Sequence, residues 1–225
     1  LSRYAISDMH GCAKTFRYLV EESIKLQPTD QLFLLGDYID RGPDTKGVID
    51  FILELRAKGI AVTTLMGNHE LMLLESLESD KYLLTWLRNG GQATLASFNV
   101  QQVTDIPVTY LNFFNQLDFF TELDDYLLVH AGFNFQASNP FTDYESMVWI
   151  RNFKLDKQFT NGRRIVHGHT PTGANQIKHS VTRPIFPVIN IDGGCVYSRP
   201  SGLGKLVALN LDTLEITMED YREDV

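Results

Sequence analysis

Five short apolar runs in this chain stop on the same kind of punctuation. "RYAIS" runs into "DMHGC", "QLFLL" into Gly36-Asp37, and "IAVTTLM" into "GNHE". Further on, "YLLVH" ends at His130 and "RIVH" at His167, two residues before His169. Runs of four to seven apolar residues bounded by Gly, Asp, Asn and His are the length of buried strands. Between the first three lie stretches of helical period. Phe16, Leu19, Val20 and Ile24 recur through Lys14–Leu26, and Val48, Ile49, Ile52, Leu53 and Leu55 recur after Pro43, closed by Gly59. The order β-α-β-α-β predicts a layered α/β core.

The middle, from about Glu70 to Gln116, reads as helical. It is broken at "NGG" (Asn89 to Gly91) and near Pro107, and is expected to form a helical cap, about 70–117, within a single domain of residues 1–225. Strands are expected at Tyr126–His130, Arg164–His167, Pro187–Asp192 and Lys205–Leu211, and one around Leu214–Met218 forms a hairpin with the last of these across Asp212-Thr213. With 225 residues and 44% hydrophobic content, one large core is within reach and two are not. The net charge of −8 argues against general nucleic-acid binding, which needs basic surface. No apolar run approaches the roughly 20 residues that cross a bilayer, so no membrane partner is expected. Two cysteines, Cys12 and Cys195, make no disulfide framework and point to the cytoplasm; both are expected to fill space near the site.

In an open α/β sheet, sites are built at the carboxyl ends of strands. Here those ends deliver Asp8 and His10, then Asp37, Asp40 and Arg41, then Asn68, His69 and Glu70, then His130, His167 and His169. Each alone has a plain explanation. An Asp caps helices, Asn after Gly makes turns, and a strand-end His is often a hydrogen-bonded core residue. Together, imidazole, carboxylate and amide donors suit divalent Mn, Fe or Zn.

The motifs "DMHG", "GDYIDRGP", "GNHE", "HAG" and "GHTP" resemble, in order and spacing, those of the phosphoprotein phosphatase branch of the calcineurin-like metallophosphoesterases. "WLRNGG", "VWIRN" and "INIDGG" extend the likeness to the small phage-type and bacterial enzymes. The resemblance implies a four-layer α/β/β/α sandwich with a helical insertion. It implies two divalent metal ions, Mn²⁺ first with Fe, Zn, Ni or Co as substitutes, held by Asp8, His10, Asp37, Asn68, His130 and His169, with Asp37 shared. It further implies that Asp40 orients His69 as general acid and that Arg41 and Arg151 hold phosphate. The activity implied is phosphomonoester hydrolysis by activated water without a phosphoenzyme, on a phosphoprotein or phosphopeptide, by a monomeric serine/threonine or dual-specificity enzyme. A symmetrical diadenosine tetraphosphatase shares most of these motifs and is the alternative. That group often lacks the acid of the Asp-Arg pair and tends to carry GNHD, so Asp40 and Glu70 weigh toward the phosphoprotein. An inactive phosphate-binding module is disfavoured because the ligands and the Asp40–His69 pair are all present. Two departures stand out. Met66 occupies a position where many relatives carry arginine, and His167 is an extra histidine that shares a face with His169 if the strand persists. His179 reads as part of a polar loop.

Overall fold

The computed structural model describes residues 1–182, 187–197 and 202–224. β1 (Arg3–Ile6), α1 (Ala13–Tyr18), β2 (Gln31–Leu34), α2 (Thr45–Ala57) and β3 (Ala61–Thr64) follow in the expected β-α-β-α-β order, and α1 continues through a wider π turn to Ser23. Four helices come next: α3 (Asn68–Ser76), α4 (Asp80–Trp86), α5 (Gln92–Phe98) and α6 (Val108–Asn115). Then come β4 (Phe120–Glu122), β5 (Tyr126–Val129), α7 (Tyr144–Trp149), α8 (Lys157–Thr160) and β6 (Arg164–His167). The chain closes with α9 (Ala174–Thr182), β7 (Val188–Asn190), β8 (Lys205–Asn210) and β9 (Ile216–Asp220).

The strands form two sheets. One has the order β3-β2-β1-β8-β9 and the other β4-β5-β6-β7. β1, β2 and β3 are parallel, with Ile6 opposite Leu34 and Leu34 opposite Thr64. β5, β6 and β7 are parallel too, with Val166 facing both Leu128 and Ile189. β8 and β9 form the hairpin expected across Asp212-Thr213.

Side chains alternate across a strand, so each strand serves two cores. Ala5, Phe33 and Leu209 of the first sheet meet Leu128, Val166 and Ile189 of the second in the space between the sheets. Ile6, Leu32 and Leu34 point the other way, onto Phe16 of α1 and Val48 and Ile52 of α2. Leu127, Val129 and Ile165 pack outward against Phe133 and Met147 of α7. The result is two sheets flanked by helices, the four-layer arrangement expected. Burial on both faces explains why these strands read as unbroken apolar runs instead of alternating ones. Each fully buried Leu, Ile or Phe contributes about 1.5–3 kcal/mol.

Three local expectations change. "GNHE" is the start of α3, not only the stop of β3: Gly67 is its N-cap, and the Glu70 carboxylate reaches back to the Gly67 N–H at 3.0 Å. His179 lies on α9, not in a loop. β6 ends at His167 and does not carry on to His169, which has a φ of 70°. The two histidines therefore part company. The His167 ring packs on Phe153 at 5.8 Å while His169 turns toward Asn68. Among the described residues, no helix is long and apolar enough to cross a membrane.

Candidate metal centre

The loops after β1 and β2 interlock through their backbones, as do those after β5 and β6, and Glu70 ties the segment after β3 to the loop after β2. The Asp8 N–H donates to Gly36 O (3.2 Å), the His10 N–H to Asp37 O (2.8 Å) and the Gly168 N–H to His130 O (2.8 Å). Gly67 permits a close approach: a Cβ there would lie 2.3 Å from both Asp37 N and Asp37 Oδ1. Asp8, His10, Asp37, Asp40, Arg41 and His169 all take positive φ, between 44° and 70°. Non-glycine residues rarely adopt that region, and such strain gathers at functional sites.

Two buried donor groups result, and both include Asp37. Ligand atoms of His10, Asp37 and His69 lie within 4.8 Å of one another, and so do those of Asp37, His130 and His169. His10 Nε2 is 3.4 Å from Asp37 Oδ2, and His130 Nε2 is 3.5 Å from Asp37 Oδ1. Asn68 Oδ1 joins the second group, 3.1 Å from His130 Nε2 and 2.9 Å from His169 Nδ1. Asp8 stands one step back. It is buried and accepts from the His169 N–H (3.1 Å) and from the Ser7 hydroxyl. Arg41 Nη1 donates to His10 Nε2 at 2.6 Å. Arg151 is exposed, close enough for its charge to help depress the His169 pKa.

The electrostatics of this cluster fit cations. Burial pushes the Asp8 and Asp37 carboxyls up, and Asp8 pushes Asp37 up further. Asp192 at the end of β7 is raised in the same way, by burial and then by Asp8. Arg41 offsets these shifts only in part, so the crowded buried acids stay raised, as a site built for added positive charge would be. The imidazoles show the converse. Burial and then the His69 ring depress His10, and burial depresses His169 to about 2, so both are neutral with lone pairs to give. Nδ1 of His10 donates to Ile39 O and Nδ1 of His130 to Leu35 O, both at 2.8 Å, which aims each Nε2 lone pair inward. His69 Nε2 and His169 Nε2 are buried without a hydrogen-bond partner.

Asp40 and His69 form a pair at 2.7 Å between Oδ2 and Nδ1. Asp40 also accepts from Thr94 Oγ1 at 2.6 Å and from Trp86 Nε1 at 2.9 and 3.1 Å. Burial raises its pKa to about 7 against these donors. Trp86 and Thr94 belong to the helical segment, so "WLRNGG" acts as a clamp. Gly91 lies flat on the Trp86 ring, and Gly90 O accepts from the Arg41 N–H at 3.3 Å. Glu70 holds the loop after β2. Its two oxygens accept from the N–H groups of Gly67, Asp37, Tyr38 and Ile39 at 2.8–3.2 Å. Burial and then Asp37 push its pKa up to about 8, and the backbone donors oppose that shift.

Sequence reasoning quoted Trp86 and Asp192 only inside motifs, without giving either a role, and passed over Thr94 and Ser7. Asp192 had the same strand-end signal as Asp8. Trp86 and Thr94 lie 46 and 54 residues from Asp40 and left no periodic mark. Cys12 and Cys195 are buried free thiols, in keeping with a filling role, and His167 lies in neither donor group.

A family model described as calcineurin-like phosphoesterase matches residues 2–197. A bis(5'-nucleosyl)-tetraphosphatase, symmetrical, from Nitrosomonas europaea is 33% identical over 132 residues, 59% of this chain and 45% of that protein. The enzyme of the same name from Buchnera aphidicola subsp. Schizaphis graminum is 39% identical over 74 residues, 33% of this chain and 26% of that protein. The chain thus spans less than half the length of these curated relatives. A crystal structure of a putative diadenosine tetraphosphatase superposes with a TM-score of 0.70 at 19% identity, covering 99% of this chain and 94% of that one. These findings overturn the expected phosphoprotein or phosphopeptide partner, because the relatives are named for dinucleoside polyphosphates. The physical ground for that expectation also fails. Asp40 and Glu70 are fully buried and bond the protein's own frame, so neither reports on the substrate. Five interlocked strand-end loops, a shared buried aspartate and a match over most of the sequence agree on one conclusion: this chain belongs to the calcineurin-like phosphoesterase family.

Proposed function

We propose that this phosphoesterase cleaves dinucleoside polyphosphates, with diadenosine tetraphosphate, cut symmetrically, as its substrate, and that residues 1–225 act as one domain. The observation that carries the reading is the placement of Asp37 in both donor groups, taken with the names of the relatives. Asp37 would bridge two divalent ions. His10, with Asp8 close behind, would hold one, and Asn68, His130 and His169 the other; Mn²⁺ suits this oxygen- and imidazole-rich set. When bound, such ions lower the pKa of water and neutralise charge building on the transferring phosphoryl group.

The chain's own residues do the rest. His69 presents Nε2 to the centre and is oriented through Nδ1 by Asp40, a carboxylate placed to favour a ring proton against burial and Arg41, which hold the His69 pKa well below its ordinary value. In that position it serves the leaving oxygen as general acid. Arg41 and Arg151 supply planar, permanently charged forks for phosphate oxygens, which an overall charge of −8 would otherwise repel. Met66 is nearly buried at the end of β3, so an apolar side chain fills the place where many relatives carry arginine.

The test is product analysis with Mn²⁺-loaded protein. Diadenosine tetraphosphate should yield ADP alone, faster than p-nitrophenyl phosphate yields phosphate. Products of AMP and ATP, or faster release of phosphate from a phosphopeptide panel, would reject the reading.

A further inference from the structure

A cavity of about 230 Å³ lies between the loop that follows β5 and the loop that follows α7. Its walls include Asn134, Phe135 and Gln136 from the first loop and Asn152, Phe153 and Lys154 from the second. Both loops leave directly from the chemistry. Asn134 is four residues past His130, and Asn152 follows Arg151 immediately. Trp149 at the end of α7 stands edge-on to His169, with ring centroids 6.3 Å apart.

The cavity is framed rigidly. Asn134 Nδ2 donates to Asp143 Oδ2 at 3.0 Å, and its Oδ1 accepts from the Gln136 N–H at 3.1 Å. The loops touch at Gly132, where a Cβ would lie 2.2 Å from the Phe153 ring. Phe135 and Phe153 tilt toward each other at 6.1 Å. In contrast, the side chains of Gln136, Asn152 and Lys154 make no hydrogen bond or ion pair to another described residue. Two uncommitted amides, each with a donor and an acceptor, beside two aromatic rings form a constellation that reads the edge of a flat heterocycle and stacks on its face. Pockets for drug-sized ligands run to roughly 300–1,000 Å³, so this one suits a single ring system and not a whole nucleotide.

We propose that this cavity is a nucleobase subsite. The base of a nucleotide whose phosphate is held at Arg151 seats against the tilted Phe135 and Phe153 rings, not between them, and Gln136 and Asn152 bond its polar edge. Lys154 adds a cation beside it for the nearest phosphate. The inference deepens the dinucleotide reading and rests on it.

Calorimetry on the Mn²⁺-loaded chain with AMP and with ribose 5-phosphate isolates the base. AMP should bind about 10-fold tighter or more, and the ratio should fall toward one in Gln136→Ala/Asn152→Ala. Equal affinities in the unaltered protein, or a ratio that survives the double substitution, overturns the proposal. If the ratio behaves as expected but diadenosine tetraphosphate is not cleaved, the base subsite stands and the dinucleotide reading falls. Cleavage with a ratio of one gives the reverse.

Discussion

Asp40→Asn separates a role in proton transfer from a role in holding metal. Three donors converge on the Asp40 carboxylate: His69 Nδ1 and Trp86 Nε1 on Oδ2, at 2.7 and 2.9 Å, and Thr94 Oγ1 on Oδ1, at 2.6 Å. An amide can satisfy this set. Its oxygen takes the Oδ2 place and its NH₂ faces Thr94, whose hydroxyl turns to Thr45 Oγ1, 3.1 Å away. His69 keeps its orientation, and no side chain of the two donor groups is displaced. What is lost is the charge opposite a protonated imidazole. A hydrogen bond to a charged group is worth about 1.5–3 kcal/mol, and each 1.36 kcal/mol in a barrier is tenfold, so turnover should fall roughly 10- to 150-fold. The loss should grow with the basicity of the leaving group, being larger for phenyl phosphate than for p-nitrophenyl phosphate, because a general acid matters most where the departing oxygen most needs a proton. The assays are steady-state kcat on both esters and metal content by elemental analysis. Metal falling in step with turnover, or equal losses on the two esters, would refute the assignment.

Gly91→Ala should destabilise the protein by about 1–3 kcal/mol in urea unfolding, since the new Cβ would sit 2.5 Å from Trp86 Cδ2 and Cε2, and turnover should fall as Trp86 shifts off Asp40. A midpoint and kcat matching the unaltered protein would show that the clamp is loose. Asp37→Asn removes one of the crowded buried acids. Chelator-treated variant should melt above chelator-treated native protein, Mn²⁺ should raise its Tm less, and elemental analysis should find at most one ion in place of two. Asp143 caps α7, accepting from the Ser146 N–H at 3.2 Å, and Asp143→Ala should cost about 1 kcal/mol. Hydrogen bonds from Ser146 and Asn134 lower the Asp143 pKa, so its contribution is present above the unfolded carboxylate pKa and fades as pH falls through the folded one. The difference between native and variant midpoints should therefore shrink only at acid pH.

The β-α-β-α-β half of the fold was plain in the sequence for a physical reason. Leu32, Phe33 and Leu34 feed cores on opposite faces of one strand, and nothing but a continuous apolar run can do that. β4 was not foreseen because Phe120–Glu122 is three residues on a sheet edge, too short to show a period. The start of α3 was masked by "GNHE" reading as a strand stop, although Glu three residues past Gly67 is an N-terminal signal in its own right. Most of the metal-centre residues were legible because each sits at a strand end, where sequence position and spatial position coincide. The clamp on Asp40 was not, since contacts between Trp86, Thr94 and the loop after β2 join surfaces far apart in the chain. Substrate was misread for a related reason. Asp40 and Glu70 were weighed as motif tendencies that separate the two groups of relatives, but their side chains point into the frame.

That frame also explains how such short motifs can hold strained and charged residues in place. Asp8, His10, Asp37, Asp40, Arg41 and His169 each stand in a backbone region that favours glycine, at a cost of order 1 kcal/mol or more apiece. Glycine at any of them would relax the chain and delete the group that does the chemistry. Asp8, Asp37 and Asp192 add mutual repulsion in a buried space. Such a cluster persists only if its surroundings leave it no alternative, and the surroundings are identifiable. The parallel register of β1, β2 and β3 fixes where the loops begin. Glu70 ties four backbone amides of two loops to one carboxylate. Trp86 and Thr94 seat Asp40 from the helical side. The strain is thus local, while the restraint comes from every layer of the fold, so the residues that break local rules most clearly are the ones the rest of the chain is built to hold.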